Sequence, residues 1–493
     1  MLGKLSRQLL LFLLYGFLGA LLAVIVIGVI YLESRTDLEV WHTVDLENEY
    51  RVGGEIDTFE DYLALEARLF QELEEKVINQ RVTDRTNLLN RYARGSLSSS
   101  ERWARNWNRS FELKADAPRA GVLMLHGMSD SPYSMRALAE RLHDAGLDVI
   151  GLRYPGHGTA PSSLTETRWQ DMAGAVELAA RHLANRLDGK PLYVFGYSTG
   201  GPLAVDLALN AMEDDAVPMP DGLVLFSSAM GVTAAAALAP WQARLGRLLG
   251  LEKFKWNSIS MEYDPFKYRS FPLNAAIQVW LLSNHVKARM TAAAASGALM
   301  SMPPILSFQS VVDDTISVNA LLDALYDKLP EGGHELVAYD INRRAGIEEL
   351  LAIDPWPEIR ALLDRDRRYA FTVVTNAPAN DGMFAPAVLS MRSVAGGAEL
   401  EVCSLNLSWP PGAYSLTHIA LPFPGTDPLY GGANAEPHPG INLGNVVLRG
   451  EGSALRVSPA GFLRQSWNPF FDFQYEKLAQ FIGIGPPVAC SPG

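Results

Sequence analysis

One serine stands at a cramped corner of the chain. The stretch Pro191–Val205 reads PLYVFGYSTGGPLAV: an apolar run enters Gly196, and Tyr197, Ser198, Thr199 and Gly200 follow. Glycines on both sides permit a turn too tight for side chains, and such a turn pushes the Ser198 hydroxyl outward. A bare G-x-S-x-G is weak in a chain with 41 glycines, because spacing alone recurs by chance. Context gives it weight. The motif follows a strand-like run and opens a helical pattern with Pro202 near its start. Free N–H groups at that helix start favour developing negative charge, as nucleophilic attack on a carbonyl requires. The plain alternative is an ordinary strand-to-helix turn.

A serine hydroxyl near neutral pH needs a base, and the base needs an orienting carboxylate. In a strand–turn–helix setting the partners follow in the chain order Ser, acid, His. Ile305–Val312 reads ILSFQSVV, a later strand, and Asp313-Asp314-Thr315-Ile316 follows it directly. Asp313 is the expected acid, with Asp314 the alternative; either can equally cap the helical pattern Ser317–Leu329. Of nine histidines, three lie beyond Asp313: His334, His418 and His438. His334 opens the strand-like HELVAY, and His438 sits between prolines in a stretch that reads as an exposed loop. His418, in YSLTHIALP, is the expected base. His143 and His182 precede the serine. Two backbone amides should receive the oxyanion: Thr199, after the nucleophile, and Met128, in the loop His126–Ser131.

These segments resemble a known family. LMLHGMSDSPYSMRALAERL, then LRYPGHGTAPSSL, then FGYSTGG is similar to the α/β-hydrolases of the monoglyceride-lipase and bacterial carboxylesterase group, often labelled serine aminopeptidase-like. The likeness covers roughly residues 111–230, 303–328 and the surroundings of His418. It implies a Ser198–Asp313–His418 triad, oxyanion donors at Met128 and Thr199, and structural roles for His126 and His157. Two departures stand out: the connection from Asp313 to His418 is long for the family, and Ser310-Val311-Val312 replaces the usual glycine before the acid.

The elements that must position these residues are legible as a rhythm. Val122–Leu125, Val149–Leu152, Leu192–Phe195, Leu223–Phe226 and Ile305–Phe308 are short apolar runs; Ser134–Ala145, Trp169–Asn185 and Pro202–Met212 carry helical periodicity. This alternation predicts an α/β fold, a mostly parallel sheet covered on both faces. Ala234–Met302, rich in Leu, Ala and aromatics (Trp241, Phe254, Trp256, Tyr263, Phe266, Trp280), reads as a helical cap over the sheet. Leu329–Ser404 reads as an insertion with strand-like pieces at Ala370–Thr375 and Glu399–Cys403. Thr58–Ile78 carries Tyr62, Leu65, Leu69, Leu73 and Val77 on one helical face and is expected to dock on the main domain. Leu97–Ser100 reads as a surface loop.

Leu9–Leu32 is uncharged and apolar throughout. At ~1.5 Å per residue it is long enough to cross a ~30 Å hydrocarbon core. Lys4 and Arg7 precede it, while Glu33, Asp37 and Glu39 follow, so the N-terminus is expected in the cytoplasm and the remainder outside, as for a bacterial inner-membrane protein facing the periplasm. A cleaved signal peptide is the competing reading. The expected organisation is a stub and transmembrane anchor over 1–32, an acidic helical region over 33–110, a hydrolase core over 111–233 and 303–493 with an insertion at 329–404, and the cap at 234–302. The 493 residues carry a net charge of −13, which argues against a nucleic-acid partner. Two cysteines, Cys403 and Cys490, exclude a four-thiolate zinc site; they form either one disulfide or two inert thiols. The chemistry expected needs no metal or other cofactor: acyl transfer from an ester, lipid-like or small, to water. A peptidase holding an α-ammonium group through Glu262 and Asp264 is the second reading, unless those two are surface charges. A catalytically silent binding protein of the same fold is the third.

Overall fold

The structure is a computed structural model. It describes residues 34–80, 88–231, 252–313, 315–345, 354–379, 384–394, 400–410, 415–432, 434–444, 464–486 and 491–492, together with residues 8, 11–20, 22–23, 26 and 28. Eleven strands form one sheet: β1 Phe111–Leu113, β2 Gly121–Leu125, β3 Asp148–Leu152, β4 Leu192–Tyr197, β5 Gly222–Phe226, β6 Ile305–Ser310, β7 Glu335–Tyr339, β8 Ala370–Pro378, β9 Phe384–Ser393, β10 Leu400–Ser408 and β11 Ser491–Pro492. Their spatial order is β1-β3-β2-β4-β5-β6-β7-β8-β9-β10-β11. From β3 across to β8 every neighbouring pair is parallel, while β1 and β9 to β11 pair antiparallel.

The central strands are wholly buried, which is why they read as continuous apolar runs rather than alternations. Leu123, Leu125, Ile150, Val194, Leu223 and Leu225 point to one face, where α3 (Trp169–Leu187) and α4 (Gly200–Glu213) cover them. Val122, Met124, Val149, Phe195, Val224 and Phe226 point to the other, against α2 (Arg136–Asp144) and α8 (Phe471–Phe481), the latter following α6 (Val318–Ala324) and α7 (Trp356–Asp364) in the chain. Register brings Leu125, Gly196 and Leu225 level at the carboxyl ends of β2, β4 and β5. In parallel sheets that edge is where ligands bind.

Three expectations change in the structure. The segment over 329–404 does not stand apart from the core: β7, β8, β9 and the start of β10 extend the same sheet edge. The detour that lengthens the Asp313–His418 connection begins after Tyr339, at the end of β7. Leu97–Ser100 is not simply a surface loop, since Ser98 and Ser99 are buried and the Ser98 hydroxyl donates to the Tyr263 carbonyl at 2.6 Å. The cap is less helical than its composition: its described part, 252–302, holds one long helix, α5 (Leu273–Ser296), and a short hairpin, Trp256–Ser258 with Phe271–Pro272. Trp241 lies outside the described residues. Trp256 and Phe266 are buried as core.

The region before the core docks as its apolar face requires. In α1 (Phe59–Leu73) Tyr62, Leu69 and Leu73 are buried, as is Val77 in the following turn. The Thr58 hydroxyl caps the helix by accepting from Asp61 N–H at 3.1 Å. Beyond this helix the region is mostly turns, and its side chains reach the cap. Arg35 donates to the carbonyls of Lys253 and Trp256 at 2.9 and 2.8 Å, and His42 Nε2 lies 2.9 Å from Ser270 Oγ. The described residues of 8–28 are helical and, except for Gly28, exposed. Among the described residues no helix is long and apolar enough to cross a membrane, and much of Leu9–Leu32 lies outside them. Cys403, on β10, is disulfide-bonded, and Cys490 is the only other cysteine of the chain.

Leu69 is completely buried in the cluster that joins α1 to Trp41, Tyr92 and Ala160. Leu69→Ala is therefore expected to destabilise the protein by about 2–5 kcal/mol. Urea unfolding of both proteins measures it, and a loss below about 1 kcal/mol would show that α1 unfolds independently of the core.

Candidate active site

The elbow after β4 is built by three glycines. A Cβ on Gly196 would meet the Gly200 carbonyl at 2.3 Å, one on Gly200 the Leu125 carbonyl at 2.3 Å, and one on Gly201 the Ser228 hydroxyl at 2.1 Å. Ser198 is held at φ 51°, a left-handed conformation that L-residues rarely adopt. Its backbone is pinned on both sides, with Ser198 N–H donating to Phe226 O at 2.9 Å and Ser198 O accepting from Ala229 N–H at 2.9 Å. The strained corner leaves the side chain half-exposed at the mouth of the sheet.

His418 Nε2 lies 2.9 Å from Ser198 Oγ, and its Nδ1 lies 2.7 Å from Asp313 Oδ2. Three residues 105 and 220 positions apart thus meet at one imidazole. With Nδ1–H donating to the carboxylate, Nε2 presents its lone pair to the serine hydroxyl. Asp313 is buried and fully engaged. Its Oδ1 accepts from the N–H groups of Thr315 and Ile316 at 2.8 and 3.1 Å, and its Oδ2 also accepts from Gln309 Nε2 at 3.0 Å. Asp314 lies outside the described residues.

The histidine loop needs its own support, because it arrives from a distant part of the chain. Ser415–Leu416 pairs with Arg464–Gln465. The Ser310 hydroxyl, at the end of β6, donates to Leu416 O at 3.2 Å. Gln474 of α8 donates to Leu421 O at 2.9 Å and lies 3.2 Å from the Tyr339 hydroxyl, tying loop, helix and β7 together.

The loop after β2 lies beside the elbow: a Cβ on Gly127 would sit 3.1 Å from Ser198 Cβ. Neither Met128 N–H nor Thr199 N–H has an acceptor among the described residues. Ser129 has φ 63°, and its carbonyl accepts from Tyr268 N–H at 2.8 Å. Lys267 Nζ lies 2.8 Å from Asp130 Oδ2. Burial pushes the Asp130 carboxyl up, against the opposing pull of Lys267. This Asp130–Lys267 pair left no signature in the sequence, because cap and loop are 137 positions apart.

His126 and His157 brace the loops from behind. Both are fully buried. His126 Nε2 accepts from Tyr154 N–H at 3.4 Å, so its Nδ1–H donates to Gly127 O at 2.8 Å. His157 Nδ1 lies 3.0 Å from Pro155 O. His334 accepts from Ile305 N–H at 3.1 Å and is a buried strand-support residue. His438 is stacked on Trp103 with ring centroids 3.8 Å apart rather than freely exposed. None of these four bonds to the Ser198 hydroxyl.

Glu262 and Asp264 are not surface charges; both are completely buried. Their oxygens serve the cap itself. Glu262 accepts from the N–H groups of Arg269 and Ser270 at 3.0 and 2.8 Å, and Asp264 accepts from those of Phe266 and Lys267, each at 3.0 Å, and from the Tyr430 hydroxyl. Among the described residues no group of three or more His, Cys, Asp or Glu could hold a metal ion.

Residues 116–340 match the hydrolase family described as serine aminopeptidase, S33. Over 172 residues the chain is 30% identical to the thermostable monoacylglycerol lipase of Bacillus sp. (strain H-257), covering 34% of this chain and 64% of that enzyme. The chain thus spans somewhat less than two thirds of that relative's length. Solved structures that match part of the chain include one of the metagenome-derived lipolytic enzymes LipS and LipT (TM-score 0.37, 21% identity, 47% of this chain and 87% of that one). Another is the monoacylglycerol lipase of Paleococcus ferrophilus (TM-score 0.36, 17% identity, 47% and 89%). The parallel sheet, the elbow and the loops at its carboxyl edge have the arrangement of an α/β-hydrolase fold. Over part of its length the core is similar in sequence to a monoacylglycerol lipase and to the serine aminopeptidase family.

Four buried imidazoles carry a pH consequence. Desolvation lowers His42 and His334 to about 4 and His157 to about 3, and holds His126 well below its ordinary value. In the unfolded chain each titrates near 6.5. The unfolded state therefore binds more protons below that pH, and stability, intact above about 6.5, falls as the pH drops toward 4. Each group removes up to about 1.4 kcal/mol per pH unit. The urea midpoint should be lower at pH 5 than at pH 7.5; an equal or higher midpoint at pH 5 would contradict the neutral assignment.

Proposed function

We propose that the chain is a membrane-anchored serine hydrolase that cleaves carboxylic esters through an acyl-enzyme. The observation that carries this reading is His418, whose two ring nitrogens face Ser198 Oγ and Asp313 Oδ2 at 2.9 and 2.7 Å. Ser198 Oγ attacks the ester carbonyl while His418 Nε2 takes its proton. Asp313 orients the imidazole and stabilises the imidazolium, and the amides of Met128 and Thr199 receive the oxyanion. Collapse expels the alcohol, which takes the proton from His418. Water activated by the same nitrogen then releases the acid and restores the serine.

A monoacylglycerol-like or other amphiphilic acyl ester is the substrate class the reading favours. The Bacillus relative is a monoacylglycerol lipase, and a cap covers the sheet edge. Ester rather than peptide chemistry is favoured because Glu262 and Asp264, the cap carboxylates that could hold an α-ammonium group, accept from the cap's own N–H groups. The apolar run Leu9–Leu32 serves as the anchor, with the catalytic part outside the cytoplasm. The disulfide at Cys403 supports this placement, since such bonds persist in oxidising compartments.

A fluorophosphonate probe should label Ser198, and mass spectrometry of the labelled peptide should locate it there. Ser198→Ala should abolish labelling and lower aryl-ester hydrolysis by at least about a thousandfold. An unlabelled but folded wild-type chain would point instead to a silent binding protein. Rates rising from acetyl to dodecanoyl esters would support an acyl pocket, and a flat series would remove that support. Chain retained in membranes after an alkaline carbonate wash is the outcome expected of the anchor; release would refute it.

A further inference from the structure

We infer that Lys267, a cap residue, is a positioning residue for the oxyanion pocket: it holds the loop that carries Met128 and neutralises the buried Asp130 carboxylate beside that pocket. The inference rests on the hydrolase reading above and extends it to the cap. The loop Gly127–Asp130 is a tight turn closed by Asp130 N–H donating to Gly127 O at 3.2 Å. Ser129 holds the left-handed φ of 63° within it, a conformation that persists only where the surroundings over-determine it. The cap supplies two of the restraints. Tyr268 N–H donates to Ser129 O at 2.8 Å, and Lys267 Nζ lies 2.8 Å from Asp130 Oδ2.

The cap strap 262–268, which carries Lys267 and Tyr268, is fixed at its other contacts, so it can act as a rigid support. The Tyr268 hydroxyl accepts from Thr159 N–H at 2.7 Å and lies 3.3 Å from Gly156 O, which joins it to the turn that follows β3. Asp264 caps the backbone of Lys267 at 3.0 Å and accepts from the Tyr430 hydroxyl on the segment beyond His418. Arg91 N–H donates to Glu262 O at 2.8 Å from the region before the core.

Charge gives Lys267 a second task. Asp130 is 5% exposed, and its Oδ2 lies 3.1 Å from where a Cβ on Gly127 would stand. An unpaired carboxylate there would oppose the negative charge that forms on the substrate oxygen next to Met128 N–H, in a site with little water to screen it. Lys267 cancels that field in the transition state more than in the ground state, where the carbonyl is neutral. Its loss should therefore appear in kcat rather than in KM.

The test is steady-state hydrolysis of p-nitrophenyl butyrate by the full chain and its Lys267→Met, Lys267→Arg and Asp130→Asn/Lys267→Met variants, with thermal unfolding of each. Lys267→Met should lower kcat by about tenfold to a hundredfold, less than the about hundredfold to thousandfold that follows loss of an oxyanion donor itself, with KM changed by less than about twofold. Lys267→Arg should keep most of the rate. The double variant, which removes the charge needing neutralisation, should recover much of the loss. A wild-type kcat in Lys267→Met, a loss expressed in KM, or a double variant no better than the single one would each overturn the inference while leaving the hydrolase reading intact. Wild-type turnover that persists in Ser198→Ala would overturn both.

Discussion

A single imidazole has two nitrogens on opposite edges of its ring, and the site requires each to meet a different strand end. Ser198 follows β4, Asp313 follows β6, and His418 must stand between them with its Nδ1 and Nε2 already committed. The sheet makes this possible because parallel strands bring their carboxyl ends to one edge in fixed register. Every other feature of the site elaborates that constraint. The glycines of the elbow exist so that the hydroxyl can stand clear of the backbone, and the amides at Thr315 and Ile316 hold the Asp313 carboxylate in place.

Around this centre the supports come from parts of the chain that a sequence reader would treat as accessories. α8 and Ser310 hold the histidine loop. His126 and the turn after β3 brace the loop after β2 from within. The cap approaches the same loop from above, and the region before the core grips the cap through Arg35, His42 and Arg91. The carboxylates Glu262 and Asp264 satisfy the N–H groups of Phe266, Lys267, Arg269 and Ser270, which have no strand partner there.

The legibility of this molecule follows the range of its interactions. The central strands and their helices were readable because burial on both faces imposes apolar runs of strand length, and covering helices must show a 3.6-residue period. Ser198 was readable from two local constraints, glycine spacing and a strand–turn–helix context. Asp313 and His418 needed only chain order and elimination among a few candidates. What stayed hidden was long-range. Leu329–Ser404 looked like an insertion because it interrupts the strand–helix alternation, yet β7 and β8 are buried and pair in parallel onto β6, which makes them part of the sheet. Ser98 and Ser99 looked solvated because serine runs usually are. The Asp130–Lys267 pair could not be seen because neither residue carries a local pattern.

The route by which His418 reaches the site has a consequence for how the fold can vary. Closing a flexible loop costs only about 0.6 kcal/mol more for each doubling of its length, so the excursion between Tyr339 and His418 weighs little against the packing that α8 supplies. Biosynthesis sees the same arrangement in time. While the ribosome is still making the strands beyond β7, the nascent chain already carries Ser198 and Asp313 but not the ring that joins them. The meeting of Ser198, Asp313 and His418 thus waits until the segment around Gln474 has emerged to seat the loop.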